Sequence, residues 1–357
     1  MKVILSGGGT GGHIFPAIAI ANELKNMIKD IDILFIGAKG KLEEIIVPEN
    51  NYNLKTLPIS GFNKRNIFGL PFKILKSLSL SKKIIRDFAP DVVVGTGGYA
   101  SAPVLYSASK MNIPTLIQEG NSYPGKVTRF LAPRVNKVVI NFNETEEYLK
   151  RKDNIIRISH PVRLNLRKIE RTEANLFFDL NSQNKTIFIF GGSQGAKALN
   201  NCFRKIFKNL LQKKINIIWQ TGKNEYEDIK KLTDNYNNIS IRSFISNMDY
   251  AYSAADLVIC RAGISSIMEL SYLQIPSVLV PYPLAAENHQ EKNSRSLEKE
   301  KACIVILQNE LETKLADTII NMISDEKKLE VMKNNAGKFT DKDAAKKIAN
   351  EIIKLSK

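Results

Sequence analysis

The first candidate for chemistry is a glycine cluster that ends in a histidine, GGGTGGH at residues 7 to 13. A run of Val, Ile and Leu precedes it, and a helical pattern follows. Glycines after a strand let the backbone approach a ligand, and the start of the next helix offers N–H groups to an anion. Histidine side chains in general titrate in the neutral range, so His13 is a candidate general base. The pattern predicts a site for a phosphate-bearing ligand with a proton acceptor beside it.

The same loop fits the dinucleotide-binding motif G-x-G-x-x-G, with glycines at 7, 9 and 12. An NAD site also needs an acidic residue at the end of the second strand, to bind the ribose. Here that strand ends in FIGAKG, so Lys39 stands at that place, and Glu43 and Glu44 follow on a predicted helix. An NAD-dependent oxidoreductase is therefore the weaker interpretation. The sequence also contains no Walker motif G-x-x-x-x-G-K-[ST].

A second candidate site lies in CRAGISSIMEL, residues 260 to 270. A strand that ends at Cys260 passes through Gly263 into a helix, whose start would face a diphosphate through Ser265 and Ser266. Glu269 lies one turn further and can accept hydrogen bonds from two ribose hydroxyls, because a carboxylate has only acceptors. The alternative is that Ser265 merely caps the helix and that Glu269 is a solvated helix residue.

These loops follow strands in two series of alternating strand and helix patterns. The first series is KVILSGGG, DILFIGA, DVVVGTGG, PTLIQEGN and KVVINFN, and the second runs from TIFIFGGSQGA to ACIVIL. This order predicts an α/β fold with parallel sheets and helices on both faces. A chain of 357 residues is long enough for two such domains. Ligands bind beyond the carboxyl ends of parallel strands, so we expect the active site in a cleft between the domains.

A polar stretch with Pro161 separates the two series and places the domain boundary near residue 160. We expect residues 1–160 to form an N-terminal domain and residues 161–338 a C-terminal domain. Residues 339–357 form a predicted helix that returns to the N-terminal domain. His160 lies at this hinge, where a packing role is the expected one.

The composition narrows the class of protein. The net charge is +16, but no nucleic-acid-binding motif is recognisable and the chain has one Trp, so we expect no nucleic acid partner. The three cysteines have no C-x-x-C spacing and are predicted to be reduced. Neither D-x-D pair, Asp30/Asp32 or Asp341/Asp343, follows a strand, and we expect no metal and no cofactor. No apolar run reaches the roughly 18 to 20 residues of a spanning helix, which predicts that membrane contact is peripheral.

Residues 61 to 88 form a basic amphipathic segment. Phe68 and Phe72 stand beside Lys73 and Lys76, a combination that can lie on an anionic membrane surface with the apolar side chains inserted. The alternative is an ordinary surface helix that packs its apolar side on the sheet, which would account for Leu75 and Leu78.

Seven motifs, in order along nearly the whole chain, resemble the MurG family of glycosyltransferases from bacterial cell-wall synthesis. They are GGTGGH (8–13), GTGGYASAP (95–103), QEGNSYPG (118–125), HPVR (160–163), GGSQGA (191–196), RAGISSIMEL (261–270) and PYPLAAENHQEKNS (281–294). The resemblance implies a GT-B fold, two doubly wound Rossmann-like domains that face a deep cleft. It also implies an inverting transfer of N-acetylglucosamine (GlcNAc) from UDP-GlcNAc to the muramyl C4 hydroxyl of lipid I, which gives lipid II. Such an enzyme is peripheral, at the cytoplasmic face of the inner membrane.

The resemblance also implies the donor contacts, position by position. They are Thr10, Gly11, Gly12, Asn121, Arg163, Ser193, Ile245, Ile264, Ser265, Ser266, Ile267, Met268, Glu269, His289 and Gln290. Ile245 would present its backbone to uracil. The sequence departs from the family at Gly120, where a glutamine is frequent, and in ISSIME, where A-x-T-x-x-E is frequent. Ser266 keeps a hydroxyl, so we expect the diphosphate contact to be retained.

The sequence leaves the general base open between His13 and Glu119. Glu119 ends a predicted strand of the same domain and can act either as the base or by orienting His13. Another UDP-sugar-dependent glycosyltransferase and a UDP-GlcNAc 2-epimerase stay open as alternative functions, since both would need the same donor contacts.

Overall fold

The computed structural model describes residues 1–59, 70–163, 166–192 and 195–357. Its internal contacts divide the chain into two compact units. Unit 1 comprises Met1–Leu164 and Asp341–Lys357, and unit 2 comprises Asn165–Thr340. The C-terminal segment is therefore part of the first unit.

Unit 1 is built on a sheet of seven parallel strands in the order β3-β2-β1-β4-β5-β6-β7. Its strands are β1 (Lys2–Gly7), β2 (Asp32–Ala38), β3 (Asn53–Leu57), β4 (Val92–Gly97), β5 (Thr115–Glu119), β6 (Lys137–Ile140) and β7 (Ile155–Arg157). Its helices are α1 (Gly11–Met27), α2 (Glu43–Glu49), α3 (Leu70–Phe88), α4 (Ser101–Lys110) and α5 (Lys126–Leu131), joined by the chain's last helix, α14 (Ala344–Leu355).

The alternation of side chains along β1 explains why helices cover both faces of this sheet. Val3 and Leu5 point to one face, where they pack in a core with α1 and α14. Ile4 points to the other face and packs with residues of α4, such as Val104. Because successive side chains of a strand alternate between faces, an apolar run such as VIL needs cover on both sides.

Unit 2 has a sheet of six parallel strands in the order β10-β9-β8-β11-β12-β13. Its strands are β8 (Thr186–Phe190), β9 (Asn216–Gln220), β10 (Ile239–Arg242), β11 (Leu257–Cys260), β12 (Ser277–Leu279) and β13 (Ile304–Val305). Its helices are α6 (Arg171–Phe177), α7 (Lys197–Gln212), α8 (Tyr226–Thr233), α9 (Met248–Ala254), α10 (Ile264–Leu273), α11 (His289–Lys299), α12 (Leu311–Ile323) and α13 (Glu326–Ala336).

The expected fold class, α/β with two parallel sheets, is confirmed. The segment that connects the two strand series has more structure than expected, since the polar stretch after residue 150 contains β7 and α6. Strand β3 was also not predicted. In the part of the chain that the structure describes, no helix is long and apolar enough to cross a bilayer.

His160 lies in the interior of unit 1, with 2% of its surface exposed. Its Nδ1 accepts a hydrogen bond from Nε2 of Gln118 at 3.1 Å, and its backbone N–H donates to Oδ1 of Asn141 at 2.8 Å. An amide NH₂ only donates, so Nδ1 is the unprotonated nitrogen and the ring is neutral. Burial, and secondarily the charge of His13, lowers the pKa of His160 to about 3. These contacts support the packing role expected for His160.

The buried His160 predicts a dependence of stability on pH. An unfolded chain protonates this residue below about pH 6.5, whereas the folded chain does so only near its lowered pKa, so stability falls as the pH falls from 6.5. One such group contributes a slope of up to about 1.4 kcal/mol per pH unit. We expect the free energy of unfolding, measured with urea, to fall less steeply between pH 7 and pH 5 in His160→Asn than in the unchanged protein.

His289→Gln is the matched control, because this histidine is partly exposed. It should leave the slope as it is. Equal slopes in His160→Asn and the unchanged protein would contradict the burial of a neutral ring at residue 160.

Candidate active site

A buried carboxylate, Glu43, holds the first glycine-rich loop of unit 1 in place. Glu43 is the first residue of α2, and none of its surface is exposed. Oε2 accepts a hydrogen bond from the N–H of Gly9, and Oε1 accepts one from the N–H of Ala38, both at 2.8 Å. A Cβ on Gly8 would come within 2.2 Å of the carboxylate, so only glycine fits there. The loop thus binds an anion of its own chain, which argues further against an NAD site.

His13 is on the first turn of α1, and β4 fixes its ring. Nδ1 lies 3.0 Å from the carbonyl oxygen of Thr96, whose hydroxyl in turn donates to the carbonyl of His13 at 2.7 Å. A carbonyl only accepts, so Nδ1 carries the proton, and Nε2 is the basic nitrogen of the neutral ring. A Cβ on Gly97 would come within 2.4 Å of Nδ1, so glycine leaves the space in which the ring lies. The arrangement gives His13 the tautomer of a general base.

Glu119, the other candidate base, is an anchor for the loop that follows β5. Oε1 accepts two hydrogen bonds from Asn121, from its backbone N–H and its side-chain amide, each at 3.0 Å. Oε2 accepts from the N–H of Gly125 at 3.0 Å and from the hydroxyl of Thr128 at 2.6 Å. Both carboxylate oxygens are thus engaged by donors of the segment that they hold in place. The geometry therefore favours His13 over Glu119 as the base.

The other predicted contacts of unit 1 surround the start of α1. Thr10 is the N-cap residue, and its side chain makes no capping hydrogen bond. Gly11 lies against the ring of Phe15, which a Cβ would approach to 3.1 Å. The guanidinium of Arg163 lies 5.0 Å from the centre of the same ring. The structure thus brings Gly11, Phe15 and Arg163 together at the positive end of a helix, which suits a negatively charged group.

In unit 2, helix α10 begins after Gly263, whose conformation is extended, and it has no side-chain cap. Ile264 to Glu269 form its first turns, so the predicted alternative of a Ser265 cap is wrong. The other half of that alternative is wrong as well, because Glu269 is buried with 4% of its surface exposed. Its Oε2 accepts a hydrogen bond of 2.9 Å from the hydroxyl of Tyr252. A helix start with a fixed carboxylate one turn further can bind a diphosphate and a ribose diol.

Gln220, at the end of β9, connects two loops of unit 2. Its Oε1 accepts a hydrogen bond from the N–H of Ile245 at 2.8 Å, and its Nε2 donates to the carbonyl of Gly192 at 3.1 Å. The N–H of Ile245 is therefore used within the chain, so the predicted backbone contact with uracil would have to be made by its carbonyl. Ser193 lies outside the described residues.

His289 and Gln290 begin α11, after a loop in which Glu287 and Asn288 have left-handed backbone angles. Nδ1 of His289 donates to the carbonyl of Ala286 at 2.8 Å, and Oε1 of Gln290 accepts from the N–H of Tyr282 at 2.9 Å. Gln290 therefore uses its carbonyl oxygen to hold the loop and keeps its NH₂ as a donor for a sugar hydroxyl.

The predicted residues thus divide between the units. Thr10, Gly11, Gly12, His13, Glu119, Asn121 and Arg163 lie in unit 1, and Ile245, Ile264 to Glu269, His289 and Gln290 lie in unit 2. The sequence interpretation missed three residues that organise these sites, namely Glu43, Gln220 and Tyr252. A weak signal was present for Gln220, a polar residue at the end of the apolar strand NIIWQ. Glu43 had none, since its neighbour Glu44 has the same side chain and is exposed.

Among the described residues, no group of three or more His, Cys, Asp or Glu side chains could hold a metal ion. The two D-x-D pairs lie next to elements of secondary structure. Asp32 begins β2, and Asp341 accepts a hydrogen bond from the N–H of Asp343 at 2.9 Å next to α14.

Comparisons with known proteins assign the family. Residues 3–140 match the glycosyltransferase family 28 N-terminal domain, and residues 186–348 match the C-terminal domain of that family. Two relatives, from Parabacteroides distasonis and Flavobacterium psychrophilum, are 40% and 42% identical, and each alignment covers 99% of this chain. It covers 98% and 97% of the respective relatives. Both are named UDP-N-acetylglucosamine--N-acetylmuramyl-(pentapeptide) pyrophosphoryl-undecaprenol N-acetylglucosamine transferase.

A solved structure agrees with these relatives. The crystal structure of MurG from Acinetobacter baumannii is 26% identical and has a TM-score of 0.80, with 99% of each chain covered. The chain therefore belongs to glycosyltransferase family 28 and, within it, to the MurG family.

Proposed function

We propose that this protein transfers GlcNAc from UDP-GlcNAc to the C4 hydroxyl of the muramyl sugar in lipid I, an undecaprenyl-linked muramyl pentapeptide, and so forms lipid II. The observation that carries the proposal is the identity of about 40%, over nearly the whole of both chains, to relatives that bear the name of this reaction. The sites of the two units support it, since each contains groups that this chemistry needs.

Unit 2 takes the UDP-GlcNAc donor in this proposal. The start of α10 receives the diphosphate, where Ser265, Ser266 and the backbone N–H groups stabilise the charge that develops as UDP leaves. Glu269 accepts the ribose hydroxyls, the carbonyl of Ile245 accepts from uracil, and the NH₂ of Gln290 donates to the sugar. Unit 1 takes the lipid-linked acceptor, and its Arg163 and the start of α1 add positive charge.

The chemical step follows from these assignments. The C4 oxygen of the acceptor attacks C1 of GlcNAc as Nε2 of His13 takes the hydroxyl proton. The bond between C1 and the diphosphate oxygen breaks, and UDP leaves with the electron pair. Attack on the face opposite to the leaving group inverts the configuration at C1. Glu119 acts in this scheme as a positioning residue for Asn121 and its loop.

The direct test is a transfer assay with UDP-GlcNAc and a short-chain analogue of lipid I. We expect the release of UDP and an acceptor that is heavier by one N-acetylhexosamine, since both substrates have groups to bind them. An acceptor without the muramyl C4 hydroxyl is the control and should give no product. Conversion of UDP-GlcNAc into its 2-epimer, or product formation only with a different acceptor, would contradict the proposal.

The two candidate bases predict different variant behaviour. His13→Ala should lower kcat by about 10² to 10⁴, the usual contribution of a general base, and should leave the affinity for UDP unchanged in calorimetry. Glu119→Gln should lower the unfolding temperature together with turnover, because an amide cannot accept all four hydrogen bonds.

These two variants can also contradict the assignment of His13 as the base. If His13→Ala kept its turnover, or if Glu119→Gln lost turnover at an unchanged unfolding temperature, the base would be Glu119.

Helix α3 supports a peripheral position of the enzyme at the cytoplasmic face of the inner membrane. Ser77, Ser81 and Ile85 form its buried side. Phe72 is 72% exposed and Leu75 is 66% exposed, so the expectation that packing on the sheet accounts for Leu75 is wrong. Lys73 and Lys76 stand next to these side chains, as on a surface that binds anionic headgroups. Phe68 lies outside the described residues.

This surface predicts the effect of removing its apolar groups. The double variant Phe72→Ser and Leu75→Ser should bind vesicles that contain phosphatidylglycerol at least about tenfold more weakly, because each inserted side chain contributes roughly 1.5 to 3 kcal/mol. UDP affinity should stay unchanged. Co-sedimentation with vesicles measures the binding.

Leu176→Ser is the matched control, since Leu176 is 73% exposed but lies on α6 of unit 2. It should bind vesicles like the unchanged protein. Equal binding of the double variant and of this control would refute the assignment of α3 to the membrane.

A further inference from the structure

Tyr252 is a buried tyrosine of unit 2 that none of the proposed substrate contacts includes. It lies on α9, and 1% of its surface is exposed. We infer that Tyr252 is a positioning residue for the donor ribose, because its hydroxyl holds one oxygen of Glu269 in the orientation that accepts the ribose hydroxyls. This inference rests on the proposed function and adds to it a residue that acts through Glu269.

The position of the Tyr252 ring is fixed by the sheet. Its centre lies 5.9 Å from that of Phe188 and 6.1 Å from that of Phe190, and the rings meet edge to face in both pairs. Both phenylalanines belong to β8, and the motif GGSQGA begins directly after this strand. Edge-to-face pairs in a packed interior leave a ring little freedom. The tyrosine hydroxyl is therefore held at a point that is set by the strand.

The hydrogen bond between Tyr252 and Glu269 is buried. The tyrosine hydroxyl donates to Oε2 at 2.9 Å, and 4% of the surface of Glu269 is exposed. A glutamate side chain has several rotatable bonds, so an unsupported carboxylate would have to be ordered when a ligand binds. A hydrogen bond from a rigid tyrosine removes part of that cost before the ligand arrives.

A carboxylate can accept hydrogen bonds from a diol as well as from a tyrosine hydroxyl. Two carboxylate oxygens offer about four lone-pair positions, of which Tyr252 uses one. The ribose of a nucleoside diphosphate has two neighbouring hydroxyls, and both can donate.

The test is a calorimetric titration of UDP and of 2′-deoxy-UDP, which lacks one ribose donor. We expect Tyr252→Phe to bind UDP about tenfold more weakly, the usual loss for a hydrogen bond to a charged group, and to lose a clearly smaller factor for 2′-deoxy-UDP, which retains one of the two donors to Glu269. In a Glu269→Gln background the same tyrosine substitution should have little further effect on UDP. Phenylalanine fills the same space, so the aromatic packing is retained.

Tyr250→Phe is the matched control on the same helix. Its hydroxyl also donates to a glutamate, Glu173, at 2.8 Å, but this pair is exposed. It should bind UDP like the unchanged protein. Thermal unfolding of each variant accompanies the titrations.

Three results would overturn the inference. Tyr252→Phe would bind UDP normally, or it would lose the same factor for UDP and for 2′-deoxy-UDP, as a general structural change would produce. The third is a full tenfold loss in the Glu269→Gln background as well. A protein that binds no UDP before any substitution would contradict the proposed function and the inference together, which separates that failure from the other three.

Discussion

The bond between the glycine-rich loop and Glu43 is the constraint on which the rest of unit 1 depends. Five of the seven residues from 7 to 13 are glycines, and such a segment loses more conformational entropy on folding than any other. Glu43 accepts two hydrogen bonds, one from the N–H of Gly9 and one from the N–H of Ala38, and these tie the loop to the end of β2. His13 lies four residues after Gly9, so the contact of Glu43 with the loop also helps to position the imidazole ring. The close approach of the carboxylate also explains why position 8 is glycine.

Three buried glutamates have different roles, which are distinguished by their donors. Glu43 accepts from two backbone N–H groups, and Glu119 accepts from two backbone N–H groups and two side chains of the segment that follows it, so both carboxylates fix the geometry of loops in unit 1. Glu269 accepts from the hydroxyl of Tyr252 and lies one turn into a helix whose start is uncapped. Burying a carboxylate costs free energy unless it is hydrogen-bonded, so the partners of each carboxylate indicate why it is buried. By this criterion the first two are anchors, and the third is the one that we propose as a ligand group.

The sequence predicted the class of the fold because its central strands are apolar on both faces, as in TIFIF and VVVGTG. It did not predict β3 and β7, because these strands lie at the two edges of the sheet, where NLKTL and IIR need cover on fewer sides. The proposed ligand contacts were predicted from short motifs that resemble those of the MurG family. Glu43 and Tyr252 escaped because their roles depend on contacts 34 and 17 residues away, which no local pattern encodes.

The two histidines of unit 1, His13 and His160, show how burial gives identical side chains different protonation behaviour. His160 is buried against Gln118 and stays neutral at neutral pH, since burial lowers its pKa to about 3. A protonated ring at residue 160 would repel a proton on His13, because the two residues interact electrostatically. A neutral His160 therefore does not oppose a proton on His13, the residue that we propose as the base. The partly exposed ring is the one suited to proton transfer, and the buried ring keeps a second positive charge out of the unit.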